Sequence, residues 1–255
     1  MNNKQSRLNN IIDILRINNG ASVKNLSENL CVSEMTIRRD LESLNNDNLI
    51  KLVHGAAIFN PEPEDEKYLL SKEDKFMEKE KDRIGRAAAS MIEPGDTVII
   101  DVGTTAQRLA NHIVQFSPIT VICFTVNTLN RIVKKNVQRL LLGGGYFHSN
   151  TQMFESNESL EMIKNVRATK LFLTASGVSD ELGITCSNMY EVATKRECIS
   201  SALTKILIVD SSKFGKINPG YFADLDVIDV LITDSGITKQ WIDIIKNHAI
   251  DLRVV

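Results

Sequence analysis

The chain is poor in the residues that several common designs depend on. It has four cysteines in 255 residues, Cys31, Cys123, Cys186 and Cys198, and none stands in CxxC spacing. That excludes a disulfide scaffold and points to free thiols, three of them beside apolar or small neighbours. The four histidines, His54, His112, His148 and His248, are equally dispersed, so neither a metal site nor a cofactor is expected. No apolar run approaches the ~20 residues of a membrane helix, and no opening segment has the pattern of a secretion signal. A cytoplasmic protein with no membrane partner is the expectation. Positive charge is also scarce: the net charge is -2, and residues 1–58 hold seven Lys+Arg against six Asp+Glu. Binding nucleic acid by bulk phosphate neutralisation alone is thereby excluded. What remains, 43% hydrophobic and 24% charged residues, is ordinary globular composition.

The most informative stretch is residues 23–44, VKNLSENLCVSEMTIRRDLESL. Upstream of it, Leu8, Ile11, Ile12 and Leu15 recur at i, i+3, i+4, i+7, the stripe of an amphipathic helix. Val23, Leu26 and Leu30 mark a second helix. Ser33 is a good N-cap for a third, whose buried stripe is Ile37, Leu41 and Leu44. The opposite face of the third helix carries Met35, Thr36, Arg39, Glu42 and Ser43, with Arg38 on its flank. Two short helices joined by a tight turn, with arginines on the second, are how a helix is offered to the major groove of DNA. Residues 49–59, LIKLVHGAAIF, suit a β-hairpin wing with Lys51 and His54 at its tip. Taken by themselves, three amphipathic helices with solvated arginines are also just a small helical domain.

Residues 60–81 change the composition abruptly, with Pro61 and Pro63 two apart and a run of acids after them. This reads as an extended spacer that becomes a charged helix from about residue 68 and merges with Ile84, Ala87, Ala88 and Met91. A solvated charged connector is the expectation for it. The chain is thus divided into a DNA-binding unit, 1–59, a charged linker or connecting helix, 60–82, and a sensing domain, 83–255.

From Pro94 onward short β-rich runs alternate with amphipathic helices, the pattern of an α/β domain on a mainly parallel sheet. The strands read are 97–101, 120–125, 139–142, 170–175, 206–210, 227–233 and 252–255. Ligands of such sheets bind at the carboxyl ends of strands. The first of those ends, TVIIDVGTTAQRLA, places Asp101 at the strand terminus and Gly103-Thr104-Thr105 in a turn that opens a helix. Such a turn suits a phosphate, because glycine admits close approach and the helix start offers free amides. An isolated GTT is equally a plain turn and cap. Asn127, Gly143-Gly144, Ser176-Gly177 and Asp210-Ser211-Ser212-Lys213 follow the next strands and gather on the same rim. Lys213 and Lys195 add positive charge there. Glu191, one turn before Lys195 on a helix read over 190–205, makes an i, i+4 pair whose plain reading is a surface ion pair.

The ordered set Ser33, Thr36, Ile37, Arg38, Arg39, Asp40 and Leu41 with the His54-Gly55-Ala56-Ala57 wing resembles the N-terminal signature of the DeoR family of bacterial transcriptional regulators. Gly95-Asp96, the residues 101–105, Asn127, Leu142-Gly143-Gly144, Glu191 with Lys195, and residues 210–215 look like the sensor domain of the same family. The resemblance implies a sensor fold similar to ribose-phosphate isomerases, with a phosphorylated sugar bound where those enzymes hold substrate. It also implies that Asp101, Gly103, Thr104, Thr105 and Lys213 line the site, and it extends the candidate set to Asn127, Gly143, Gly144, Gly177, Glu191, Lys195 and Asp210.

Two functions follow as expectations. The first is a repressor of a sugar-utilisation operon, a homo-oligomer (dimer or tetramer) on double-stranded operator DNA, relieved or modulated by a phosphorylated sugar. The second is an isomerase-like enzyme carrying a DNA-binding module, with Asp101, Glu191 or Asp210 as base and Lys213 as the oxyanion stabiliser.

Overall fold

The computed structural model describes residues 3–46, 49–53, 55–59 and 70–255. The chain begins with α1 (Asn3–Asn18), β1 (Gly20–Ser22), α2 (Val23–Leu30), α3 (Glu34–Asn46), β2 (Ile50–Val53) and β3 (Ala56–Phe59). The apolar stripes of the three helices meet in one cluster, in which Ile11, Leu15, Leu26, Ile37 and Leu41 are fully enclosed. Each such side chain contributes roughly 1.5–3 kcal/mol on burial. Ser22 caps α2 by accepting from Asn25 N at 3.0 Å, and Ser33 caps α3 by accepting from Thr36 N at 3.2 Å. Between them the chain reverses at Cys31, which is left-handed with φ 51°. Asp40, buried on α3, accepts from the Arg7 guanidinium at 2.5 and 3.3 Å and so ties α3 to α1.

The wing is a three-stranded sheet in the order β1-β3-β2, one strand more than the hairpin read from the sequence. Three residues, Gly20–Ser22, are too few to show an alternation. Lys51 is not at the tip. It lies within β2 opposite Ile58, while the closing pair is Val53 with Ala56. His54 lies outside the described residues, as do residues 60–69 of the spacer.

The charged connector departs from expectation. It is two helices, α4 (Leu70–Lys75) and α5 (Glu78–Ala89), broken where Met77 takes φ 52°. Nor is it a solvated helix: Lys81, Ile84 and Ala88 all face inward and are buried. Gly85 lets α5 lie against the next helix, since a Cβ there would come within 2.6 Å of Leu109 N.

The rest of the chain runs β4 (Thr97–Ile100), α6 (Thr104–His112), β5 (Thr120–Cys123), α7 (Val126–Val133), β6 (Arg139–Leu142), β7 (Tyr146–His148), β8 (Met153–Glu155), α8 (Asn157–Lys164), β9 (Ala168–Leu173), β10 (Gly177–Ser179), β11 (Gly183–Cys186), α9 (Glu191–Ser201), β12 (Ala202–Ile208), β13 (Gly220–Ala223), β14 (Val230–Thr233), α10 (Lys239–Asn247) and β15 (Asp251–Val254). Seven of these strands form one sheet in the order β15-β14-β12-β9-β4-β5-β6. All its pairings are parallel. These are the seven strands read from the sequence, with shifted ends. The helix read to residue 205 stops at Ser201, because the chain there already pairs with β9.

Residues alternate between the two covered faces, as a doubly buried parallel sheet requires. Val98, Ile100, Ile206 and Ile208 pack with Ile84, Ala106 and Leu109 on one side. Ile99, Leu171, Leu173 and Leu207 pack with Ile163 and Cys198 on the other. From β4 the chain builds outward through β5 and β6, then returns to lay β9 on the opposite flank of β4. The order reverses between β4 and β9, and the crevice at a reversal is where an open α/β sheet has room for a ligand. The two units touch: Ile217 N donates to Asn18 O at 3.2 Å, and Lys24 lies 3.2 Å from Glu181.

Candidate functional site

At that reversal the chain leaves β4 through Asp101, Val102 and Gly103 and enters α6 at Thr104. The strand beside it, β9, ends at Thr174, Ala175 and Ser176. The four amide groups of a first helical turn have no partner within the helix, so Thr104 and Thr105 present donors to this crevice. Gly103 has φ 156°, and a Cβ there would sit 2.7 Å from Thr174 Oγ1; only glycine allows β4 and β9 to close this near the turn. Glu73, Lys81, Lys195 and Lys213 complete the walls of a cavity of about 30 Å³. That is the share of roughly one water, far below the several hundred Å³ of a typical small-molecule site.

Beneath the turn is a buried charged cluster. Lys195 Nζ on α9 donates to Asp101 Oδ2 at 2.5 Å and to Thr174 O at 3.2 Å, and lies 3.6 Å from Glu191 Oε2. Asp101 Oδ2 also accepts from Thr174 N at 2.9 Å. Burial pulls the Lys195 pKa down, but the charges of Asp101 and Glu191 outweigh it and hold it above the ordinary lysine value. Burial raises the Glu191 carboxyl, with Lys195 opposing. The expected surface ion pair of Glu191 and Lys195 is therefore overturned. Lys195 is 1% exposed and its nearer partner is Asp101, because α9 packs under the sheet end rather than over solvent.

At the mouth, Lys213 Nζ lies 3.0 Å from Glu73 Oε2, and Lys81 Nζ donates to the Glu73 carbonyl at 2.6 Å with its carboxylate at 3.9 Å. Burial would raise the Glu73 carboxyl, yet Lys213 and Lys81 win and hold it below the usual glutamate range. Burial lowers Lys81, with Asp210 opposing. Lys81 and Lys213 thus meet Glu73 beside the Gly103–Thr105 turn.

The sequence candidates divide. Gly103, Thr104, Thr105, Glu191, Lys195 and Lys213 border the cavity. Asp101 and Asp210 stand behind it: Asp101 holds Lys195, and Asp210 Oδ1 accepts from Ser212 N at 3.1 Å. Gly177 lies in β10, with a hypothetical Cβ 2.4 Å from Lys216 O. Asn127, Gly143 and Gly144 are not brought to the cavity. Asn127 lies in the first turn of α7, where its carbonyl takes Arg131, and Gly143 packs on Phe124. Sequence reading missed Glu73, Lys81 and Thr174. The Lys81 signal was available, since Lys81, Ile84 and Ala88 stand at i, i+3, i+7 on the buried stripe.

A second face belongs to the N-terminal unit. Met35 (61% exposed), Arg38, Arg39 and Glu42 project outward from α3, and Arg38 lies 3.4 Å from Glu34. Ser33 and Thr36 are joined to each other at 3.0 Å at its start. A groove lined by Arg38, Glu42 and Leu52 separates this helix from the wing.

The sequence matches two family models, the DeoR-like helix-turn-helix domain over residues 7–62 and the DeoR C terminal sensor domain over residues 77–235. The chain belongs to the DeoR family. This DeoR-family regulator is 30% identical over 249 residues to the deoxyribose operon repressor of Escherichia coli (strain K12), spanning 98% of each chain. It is 33% identical to the lactose phosphotransferase system repressor of Staphylococcus epidermidis, over 92% of this chain and 93% of that one. Ribose 5-phosphate isomerase A of Methanocaldococcus jannaschii superposes with a TM-score of 0.41, at 12% identity, over 54% of this chain and 55% of that one. The family's members are DNA-binding transcriptional regulators, and the curated relatives are named as repressors, which sets the enzyme alternative aside. Among the described residues no helix is long and apolar enough to cross a membrane.

Proposed function

We propose that this regulator represses a sugar-utilisation operon and that a phosphorylated sugar, bound at the ends of β4 and β9, relieves the repression. The observation that carries this reading is the coincidence of three things at the strand-order reversal. The Gly103–Thr105 turn opens α6 there, and Lys81 and Lys213 converge on it. A phosphate takes helix-start amides, hydroxyls and ammonium groups together. The relatives' names supply the sugar operon.

In this reading α3 enters the major groove, Arg38 and Arg39 contact phosphates or base edges, and Lys51 and His54 of the wing follow the backbone. With a net charge of +1 over residues 1–58, one unit binds weakly. Two units of a homo-oligomer on a palindromic site bind together, since the cost of association falls mainly on the first. The protein works in the cytoplasm, where operator and effector meet.

The test is a thermal-shift screen of phosphorylated sugars and polyols, coupled to retardation of duplex DNA from the gene's own neighbourhood. A true effector stabilises by RT ln(1 + [L]/Kd) and changes operator retention. The double variant Thr104→Ala, Thr105→Ala loses both responses. If no phosphorylated compound moves either readout, the reading fails.

A further inference from the structure

The cavity at the β4/β9 reversal has one wall residue from α4, Glu73. Glu73 brings a carboxylate to Lys213, 3.0 Å away, and to Lys81 at 3.9 Å, beside the first turn of α6. Those are the groups that the proposed function assigns to a phosphate. We infer that the Glu73 carboxylate is an internal competitor for the phosphate subsite, which a phosphate ester must displace, taking α4 with it.

Three observations carry this, and it rests on reading the pocket as an anion site. The first is charge balance. Three lysines, Lys81, Lys213 and Lys216, face two carboxylates, Glu73 and the buried Asp210, and burial lowers both Lys81 and Lys216. Two carboxylates leave the three ammonium groups one charge short of neutrality, whereas a phosphate ester at pH 7 brings about -1.5 to -2 charge and three acceptor oxygens in place of Glu73.

The second is how α4 is held. Asp74 accepts from Arg108 at 2.9 Å, Glu73 meets the lysines, and Phe76 is 49% exposed with Lys81 and Lys213 about 6 Å from its ring. Its described side chains thus hold it by charge and not by apolar burial. A stronger anion exchanges with such contacts, while a packed helix would have to be torn from a core.

The third is position in the chain. Residues 60–69 join the wing to α4, and α5 packs into the core independently through Ile84 and Ala88. Displacing α4 moves the covalent tether of the DNA-binding unit from Leu70 to Glu78 and leaves the contacts of Asn18 and Lys24 with the sensing unit as its remaining hold. Occupancy of the pocket is then converted into reach between DNA-binding units.

The experiment uses the full chain at constant ionic strength, with inorganic phosphate as the probe. Phosphate affinity is measured by titration calorimetry, and release of α4 by the rate of tryptic cleavage after Lys75. Glu73→Gln should bind phosphate about fivefold tighter or more, the lower end of usual coupling, and be cut at the rate the wild type reaches only with phosphate. Asp74→Asn loosens α4 at Arg108 with no direct bond to Glu73 or the lysines, though it also removes a charge that acts on Lys81. By linkage it should tighten phosphate in the same direction and, as the readout that charge removal alone does not move, speed cleavage after Lys75 without phosphate. Unchanged affinity in both variants, with phosphate binding still lost in Thr104→Ala, Thr105→Ala, overturns the inference and leaves the pocket reading standing. Absence of phosphate binding in every protein overturns both.

Discussion

Lys195 Nζ sits 2.5 Å from Asp101 Oδ2, with neither side chain more than 1% exposed, and the two residues are 94 positions apart in sequence. The pair clamps α9 to the end of β4 and, through Thr174, to the end of β9. Its place is directly under the Gly103–Thr105 turn. The pair's role in this geometry is to hold the turn in place beneath the mouth where Lys81 and Lys213 converge.

Removing one member should therefore cost far more than removing both. Lys195→Met leaves Asp101 buried without its cation, a loss of about 3–5 kcal/mol. Adding Asp101→Asn to Lys195→Met should restore part of that, because a neutral amide needs no counter-ion and only Glu191 is then left without its cation. Urea unfolding of the single and double variants measures the difference. Additive losses would show that the two groups do not depend on each other.

Asp96 gives the acid side of the stability curve. Its carboxylate accepts from Glu93 N at 2.8 Å and Thr169 Oγ1 at 2.7 Å, and meets Lys170 at 2.6 Å. Burial pushes its pKa up, but Lys170 and these hydrogen bonds prevail and leave it below the usual aspartate value. A carboxyl depressed in the folded state contributes fully above its unfolded pKa, about 3.9, and loses that contribution as pH falls through the folded value. Wild type should exceed Asp96→Asn by about 1–3 kcal/mol above pH 5, and the gap should close on acidification below pH 4. A gap that does not change with pH would mean that the amide reproduces the contacts of the ionised group.

The seven sheet strands were legible because a doubly covered strand writes an apolar run into the chain, as TVII at 97–100 and LFL at 171–173 do. Their order was not legible. β4 pairs with β9 across some 70 residues, and nothing in the local pattern of Val98 or Lys170 records that neighbour. The site followed the same division. The Gly103–Thr105 turn is local and was visible, while Thr174 became part of it only through the pairing. Glu73 stands in a run of acids where each resembles the next, so its selection by Lys213 belongs to tertiary structure alone.

On the outward face of α3 the two arginines are not equivalent. Arg38 lies 3.4 Å from Glu34, which is itself half exposed, whereas Arg39 has no ion-pair partner among the described residues and projects from the outward face of α3. A guanidinium already shared with a carboxylate has less to offer a phosphate or guanine. Arg39→Ala should weaken operator binding by about 1–3 kcal/mol and Arg38→Ala by less. Fluorescence anisotropy at several salt concentrations reads both the loss and its slope. An equal loss in the two variants contradicts the ranking.

Lys81 is buried as a charge at the mouth of the candidate site. It stands on the same buried stripe as Ile84 and Ala88, is 1% exposed, and its nearest carboxylate, Glu73, is 3.9 Å away. Burial lowers its pKa, so the folded state holds an ammonium that it solvates poorly. Replacing such a group by a well-packed apolar side chain of similar length removes the desolvation cost. Because the Glu73 carbonyl then loses the donor it has at 2.6 Å, Lys81→Met should leave stability within about 1 kcal/mol of wild type, the removed desolvation cost offsetting the lost bond. It should also lower phosphate affinity by about tenfold or more, since a charge-assisted partner is lost from the mouth of the pocket. Thermal unfolding and phosphate titration on the same preparation read both effects. A variant that is less stable yet binds phosphate as before would place Lys81 in the structural framework and leave Lys213 to carry the anion alone.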